Sequence, residues 1–181
     1  GALSFEGVSR TKTIRLVNQG ISGTSSFSWV PEPVGTGGRI LLTAAFPDST
    51  TDIIVGLGTN DRLAPKDPAN STGYRRNMGL IVEWLKANFP DASIQLMGGY
   101  ATLDENTFDG SKVFGQRDIP PVLFDLARQY GVSALNLYPQ MRAGIDAGGD
   151  YFAPDNLHPS DDGYGKIDEI LRNYAESGTT R

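Results

Sequence analysis

The chain contains a single histidine, His158, in the stretch APDNLHPSDDGY (153–164). An imidazole titrates at about pH 6.5, so it can accept and return a proton under neutral conditions. Asp155 stands three residues earlier, where a tight loop would let it accept the Nδ1–H and stabilise the imidazolium. This spacing predicts a general base oriented by a carboxylate. The alternative is a surface histidine in a turn, with Asp155 bonding its own backbone.

Two other stretches could supply hydrogen-bond donors. In GTND (58–61) the amide of Asn60 could stabilise a developing oxyanion. Alternatively, Asn60 or Asp61 caps the next helix or satisfies a turn. In NQGISGTSS (18–26) a glycine, Gly23 in particular, could donate its backbone N–H to the same oxyanion, or the glycines could simply permit a turn with positive φ.

Strands and helices alternate along the chain, which predicts a parallel sheet with helices on both faces. The run DIIVGLG (52–58) is continuously apolar, as is typical of a strand buried on both faces. Ser160 and Asp161 are candidate caps of the last helix. Residues 100–118 are the longest irregular segment. The predicted strands are 13–20, 52–58, 93–99 and 133–139, and the predicted helices are 37–48, 71–91, 119–131 and 160–177.

The polar stretches follow the ends of predicted strands. In open parallel sheets, ligands bind beyond the carboxyl ends of the strands. Residues 20–26, 58–61 and the histidine loop would then meet at one edge of the sheet. The order of elements therefore predicts one shared site for Gly23, Asn60 and His158.

Length and composition limit the function classes. A chain of 181 residues fits one domain, 1–181, with a sizeable core. The net charge of -5 gives no electrostatic reason to expect nucleic acid or an anionic membrane as partner. Cysteine is absent, which excludes disulfides, thiolate metal sites and a cysteine nucleophile. No apolar run approaches the roughly 20 residues of a membrane-spanning helix.

Three stretches taken together resemble signature blocks of the SGNH (GDSL) hydrolase family. They are VNQGISGTSS (17–26), IIVGLGTND (53–61) and DNLHPSDDGY (155–164), in the family's order. The block around His158 is the most specific, because D-x-x-H-P followed by a polar tract and G-Y is characteristic of the family. The resemblance extends over nearly the whole chain.

The resemblance implies a fold, a reaction and residue roles. The fold would be a flavodoxin-like three-layer α/β/α sandwich with a parallel central sheet of strand order 2-1-3-4-5. The reaction would be hydrolysis of carboxylic esters through an acyl-serine intermediate, without metal or cofactor. Gly23 and Asn60 would form the oxyanion hole, His158 would be general base and then acid, and Asp155 would orient it.

The chain departs from the family at its first block, where a strand runs into Gly-Asp-Ser and the serine is the nucleophile. The chain opens GALSFEG. If LSFEG matches the residues after the family serine, Ala2 occupies the nucleophile position and the preceding strand would lie before residue 1. Ser4 is the fallback nucleophile, displaced by two residues.

Two functions remain open at this stage. The first is a serine esterase that acts on a small ester or an acylated saccharide, with short-chain or acetyl esters favoured. The second is a catalytically inactive relative that binds a carbohydrate or another ligand in the former cleft. Four aromatic residues could either stack on sugar rings or belong to the core: Trp29, Tyr100, Tyr151 and Phe152. The sequence does not indicate the oligomeric state.

Overall fold

The computed structural model describes residues 17–18, 20–31, 46–47, 50–63, 71–103 and 114–177. Ala2 and Ser4 lie outside these described residues, as do most residues of the predicted strand 13–20 and of the predicted helix 37–48.

Three parallel strands form the described part of the sheet. They are β1 (Asp52–Gly56), β2 (Ser93–Gly98) and β3 (Ser133–Asn136). Their order is β1-β2-β3, with Ile53 beside Ile94 and Leu96 beside Ala134. The predicted parallel sheet is therefore confirmed. This order fits the consecutive run 3-4-5 of the strand order that the resemblance implies.

Helices follow the strands, and their ends carry the predicted signals. The third helix ends at Gly131, which adopts a left-handed conformation with φ 65° and donates its N–H to Ala127 O. Ser160 Oγ accepts the N–H of Gly163 at 3.2 Å, which confirms Ser160 as the cap of the last helix. No helix in the described part of the chain is both long and apolar enough to cross a membrane. The helices are α1 (Ser26–Trp29), α2 (Ser71–Asn88), α3 (Ile119–Tyr130), α4 (Tyr138–Asp146) and α5 (Asp161–Ser177), and two 3₁₀ turns are η1 (Thr59–Arg62) and η2 (Gln116–Asp118).

The sequence did not predict α1 or α4, and it made the last strand too long. β3 ends at Asn136, whose Oδ1 accepts the backbone N–H of Tyr138 at 3.0 Å. Tyr138 opens α4, and Pro139 follows it in the first turn, where proline is well tolerated. The apolar residues at 137–138 are therefore not an extension of the strand.

The sheet separates two apolar layers because neighbouring side chains of a strand point to opposite faces. On one face, Leu96 of β2 packs with the apolar sides of α2 and α3. On the other face, Met97 of β2 and Leu135 of β3 pack with α4 and α5. This arrangement gives the three layers of an α/β/α sandwich.

The sequence predicted that the strand at 52–58 is buried on both faces, and this prediction is wrong for β1. Ile53 and Val55 are buried in the layer that contains α2, whereas Ile54 is 61% exposed. The helices α4 and α5 cover β2 and β3 on that face. β1 is the terminal strand of the described order, so these two helices leave its outer face uncovered.

Candidate active site

The single histidine lies on a short hairpin-like loop between α4 and α5. Phe152 and Pro159 pair as an antiparallel bridge, and the N–H of Ala153 donates to the carbonyl of His158 at 2.8 Å. At the tip, Asn156 adopts a left-handed conformation with φ 60°, which asparagine tolerates better than most residues. The loop backbone therefore has its own hydrogen bonds, which define the position of the imidazole.

Asp155 holds both the ring and the backbone of His158. Its Oδ2 lies 2.5 Å from Nδ1 of the ring, and its Oδ1 accepts the backbone N–H groups of His158 at 2.9 Å and Leu157 at 3.0 Å. The predicted Asp155–His158 hydrogen bond is thus present, together with the backbone bonding that was its alternative. A neutral ring that donates from Nδ1 carries its lone pair on Nε2.

These hydrogen bonds also set the charge of the carboxylate. The bond from the His158 ring, followed by the two backbone N–H groups, lowers the pKa of Asp155 to about 2. Asp155 is therefore ionised throughout the neutral range, which is the state needed to stabilise an imidazolium. Both side chains are accessible, with 68% of His158 and 50% of Asp155 exposed.

The histidine loop is attached to the carboxyl end of β2. Tyr100, two residues beyond the strand, donates its hydroxyl to the carbonyl of Leu157 at 3.4 Å. The N–H of Leu103 donates to the carbonyl of Asn156 at 3.1 Å. The loop thus lies at the edge of the sheet where ligands bind in open parallel folds.

Gly23 occupies a tight turn. It has φ 75° at the third position of the turn Ile21–Thr24, which the N–H of Thr24 closes to the carbonyl of Ile21 at 3.4 Å. A positive φ at this position is typical of a type II turn, for which glycine is the preferred residue. The hydroxyl of Thr24 donates to the same carbonyl at 2.8 Å, and Gly23 itself is exposed.

Asn60 lies in η1, directly beyond the end of β1. Gly58 precedes it with φ 137°, and a Cβ there would lie 3.0 Å from Cδ1 of Ile119 and 3.1 Å from the hydroxyl of Tyr74. Nδ2 of Asn60 donates to the carbonyl of Thr24 at 3.0 Å. An amide nitrogen has two protons, so this bond orients the amide and leaves the second proton for a ligand.

The predicted site residues therefore form two groups, each held together by hydrogen bonds. Asp155 holds His158, and Asn60 holds the residue that follows Gly23. Asn60 follows the carboxyl end of β1, and the histidine loop is bonded to Tyr100 and Leu103 beyond the carboxyl end of β2. Direct cooperation of His158 with Asn60 and Gly23 stays a prediction.

Sequence reasoning considered Asp61 only as a cap or turn residue, and it did not predict the contacts of Asp61 with Ser26 or of Ser26 with Asn77. Asp61 accepts both the backbone N–H and the hydroxyl of Ser26, and Asn77 donates to the same hydroxyl. Asp61 is the last residue of the GTND motif (58–61), so the motif itself marks it as a candidate. Nothing local to the sequence distinguishes Asn77, which lies within the long helix α2.

The four aromatic residues named as candidates for stacking on sugar rings do not form one exposed surface. Trp29 and Phe152 are buried in the two apolar layers, and the indole N–H of Trp29 donates to Oγ1 of Thr24 at 3.0 Å. Tyr100 and Tyr151 are partly buried against the second layer. Stacking by Trp29 and Phe152 is therefore ruled out, because their rings are used in packing.

Within the ranges that the structure describes, no group of three or more histidine and carboxylate side chains is placed to hold a metal ion.

Solved structures share the fold. A protein from Lactobacillus plantarum superimposes with a TM-score of 0.58 at 20% identity, over 80% of this chain and 75% of that one. A lipase/acylhydrolase from Enterococcus faecalis gives a TM-score of 0.53 at 15% identity, over 68% of this chain and 60% of that one. No curated protein matches the chain significantly. The model of the GDSL-like lipase/acylhydrolase family matches residues 5–166, and the chain belongs to that family.

Proposed function

We propose that this member of the family is a carboxylic ester hydrolase that works through an acyl-serine intermediate. The observation that carries the proposal is the hydrogen bond of 2.5 Å between Asp155 Oδ2 and His158 Nδ1. It leaves the basic nitrogen, Nε2, on the side of the ring away from the carboxylate, where it can accept the proton of a reacting hydroxyl. Family membership supports acyl hydrolysis in general, and the roles of individual residues belong to the proposal.

The proposed reaction begins with proton transfer to His158. As a serine Oγ attacks the ester carbonyl carbon, its proton passes to Nε2 and the carbonyl oxygen becomes an oxyanion. The N–H of Gly23 and the second Nδ2 proton of Asn60 stabilise that oxyanion. When the bond to the alcohol breaks, Nε2 returns the proton to the departing alkoxide, which leaves an acyl-serine.

Water completes the cycle by the same route. Nε2 accepts a proton from water as the water oxygen attacks the acyl carbon, and it then protonates the departing serine oxygen. The carboxylic acid is released and the serine is regenerated. Asp155 stays ionised throughout, because its pKa is about 2, and it stabilises each transient imidazolium.

The proposed reaction needs a serine nucleophile in front of His158. By the family's pattern the serine falls on Ala2, and Ser4 is the nearest alternative. To supply the serine, we propose a variant chain in which an apolar strand ending in Gly-Asp-Ser stands directly before Leu3. We call this chain the serine form.

Short acyl groups, such as acetyl on a saccharide, are the proposed substrates. The segment ATLDENTFDGSKVFGQRD (101–118) is rich in polar and charged residues. A lipase for long chains usually needs a more apolar cover over its site.

Hydrolysis and covalent labelling test the proposal together. The serine form should hydrolyse p-nitrophenyl acetate and should react with a fluorophosphonate serine probe, whereas the present chain should do neither. Labelling of the present chain at Ser4, located by peptide mass spectrometry, would make Ser4 the nucleophile. If neither chain labels or hydrolyses any short-chain ester, the esterase proposal fails and the inactive ligand-binding module replaces it.

A further inference from the structure

A buried polar chain connects three elements beside the candidate oxyanion donors. Ser26, Asp61 and Asn77 are 0%, 4% and 2% exposed. Asp61 Oδ2 accepts the backbone N–H of Ser26 at 2.9 Å, and Asp61 Oδ1 accepts the Ser26 hydroxyl. The same hydroxyl accepts a hydrogen bond from Nδ2 of Asn77 at 3.2 Å.

Burial makes these contacts energetically important. A carboxylate removed from water is costly unless hydrogen bonds replace its hydration. Ser26 supplies two of those bonds, one from its backbone and one from its side chain. Any displacement of the segment around Ser26 away from η1 would therefore leave the charge of Asp61 less well satisfied.

The polar chain lies next to the bond that orients Asn60. Asn60 donates to the carbonyl of Thr24, and Asp61 accepts from Ser26. Two consecutive residues of η1 thus hold Thr24, which follows Gly23, and Ser26, which opens α1. The two contacts together restrict both sliding and rotation of one segment against the other.

We propose that Ser26, Asp61 and Asn77 form a positioning network that fixes the Gly23 N–H relative to the Asn60 amide. The inference rests on the proposed function, in which these two groups stabilise the oxyanion. Oxyanion donors are effective when they are already in place as charge develops, because no reorganisation is then needed. The network would restrict the motion of the exposed turn Ile21–Thr24 relative to η1, so both donors would already be in place.

Ser26→Ala in the serine form is the central test. It removes the hydroxyl that Asp61 and Asn77 share. Because misplaced donors act mainly on the transition state, kcat for p-nitrophenyl acetate should fall about tenfold or more, with KM within about twofold. The matched control is Ser133→Ala, which removes a hydroxyl bond to Ile94 O (3.2 Å) at the amino ends of β2 and β3. The control should keep both constants within about twofold.

Nuclear magnetic resonance on the present chain gives a second readout that needs no activity. The backbone amide signal of Gly23 and the side-chain amide signals of Asn60 should shift in Ser26→Ala and should stay in place in Ser133→Ala. If Ser26→Ala does not fold, Asn77→Ala, which removes the outermost donor of the network, takes its place in both measurements.

Asp61→Asn tests the other end of the network. The asparagine oxygen replaces one accepting oxygen of Asp61, whereas its NH2 replaces the other and meets Ser26 as a second donor, so a positioning role predicts a lower kcat together with shifted Gly23 and Asn60 amide signals. A lower kcat with unshifted amide signals would assign the effect to the charge of Asp61 and overturn the inference. Equal kcat values for Ser26→Ala and Ser133→Ala, with unshifted amide signals, would also overturn it. An inactive serine form would instead refute the proposed function itself, and the inference with it.

Discussion

Asp155 binds His158 at two places at once, through Nδ1 of the ring at 2.5 Å and through the backbone N–H at 2.9 Å. The backbone bond fixes the carboxylate within the loop, and the ring bond fixes the imidazole to the carboxylate. The histidine is largely exposed, so few packing contacts restrict its rotation. Its orientation therefore depends on Asp155, and the following predictions use that dependence.

Removing either member of this pair should abolish catalysis without unfolding the chain. In the serine form, His158→Ala should lower kcat/KM for p-nitrophenyl acetate by about 10³ or more, because no other group accepts the serine proton. Asp155→Asn should also lower it strongly, because the ring loses its charged partner. Circular dichroism should be unchanged, since both side chains are exposed. Activity of His158→Ala within tenfold of the parent would rule out a general base at this position.

The contribution of Asp155 to stability should depend on pH in a defined direction. Its pKa is about 2 in the folded chain and about 3.9 when unfolded. A carboxylate with a lowered folded pKa stabilises the fold above the unfolded pKa, and that stabilisation is lost as pH falls toward the folded value. Urea unfolding of the parent and of Asp155→Asn should therefore differ most above about pH 5 and converge near pH 2. A difference that is constant from pH 7 to pH 2 would contradict the lowered pKa.

Asn60→Ala in the serine form tests the side-chain oxyanion donor. Loss of one such donor typically lowers kcat by about 10² to 10³. The effect should lie in kcat for p-nitrophenyl acetate, with KM little changed. Asn88→Ala is a matched control, because its amide also donates to a backbone carbonyl, that of Trp84 at 2.8 Å, but on the exposed end of α2. A change confined to KM would make Asn60 a substrate-binding residue or a structural cap.

The features that the sequence predicted correctly depend on neighbours in the chain. Gly131 ends a helix through its own left-handed conformation, and Asp155 reaches His158 across three residues. The features that it missed depend on distant segments. Ser26 and Asp61 are 35 residues apart in the sequence, and only the fold brings them together.

The exposure of Ile54 has the same origin. An apolar run predicts a buried strand, but burial of each face depends on which helices cover it. Here α4 and α5 pack over β2 and β3, which no local pattern around β1 could reveal.

Replacing Gly58 by alanine should destabilise the fold, because of its backbone conformation and its close neighbours in space. Residues with a side chain rarely adopt its φ of 137°, and a Cβ would lie 3.0 Å from Cδ1 of Ile119 and 3.1 Å from the Tyr74 hydroxyl. Gly58→Ala should therefore lower the free energy of unfolding by about 2 kcal/mol or more. Gly165→Ala is the matched control, since it lies within α5 with open space around its Cα. Alanine there should raise stability by about 0.5–1 kcal/mol. Urea denaturation of the present chain measures both changes without any need for activity. A Gly58→Ala variant as stable as Gly165→Ala would mean that the backbone before Asn60 does not adopt this conformation in solution.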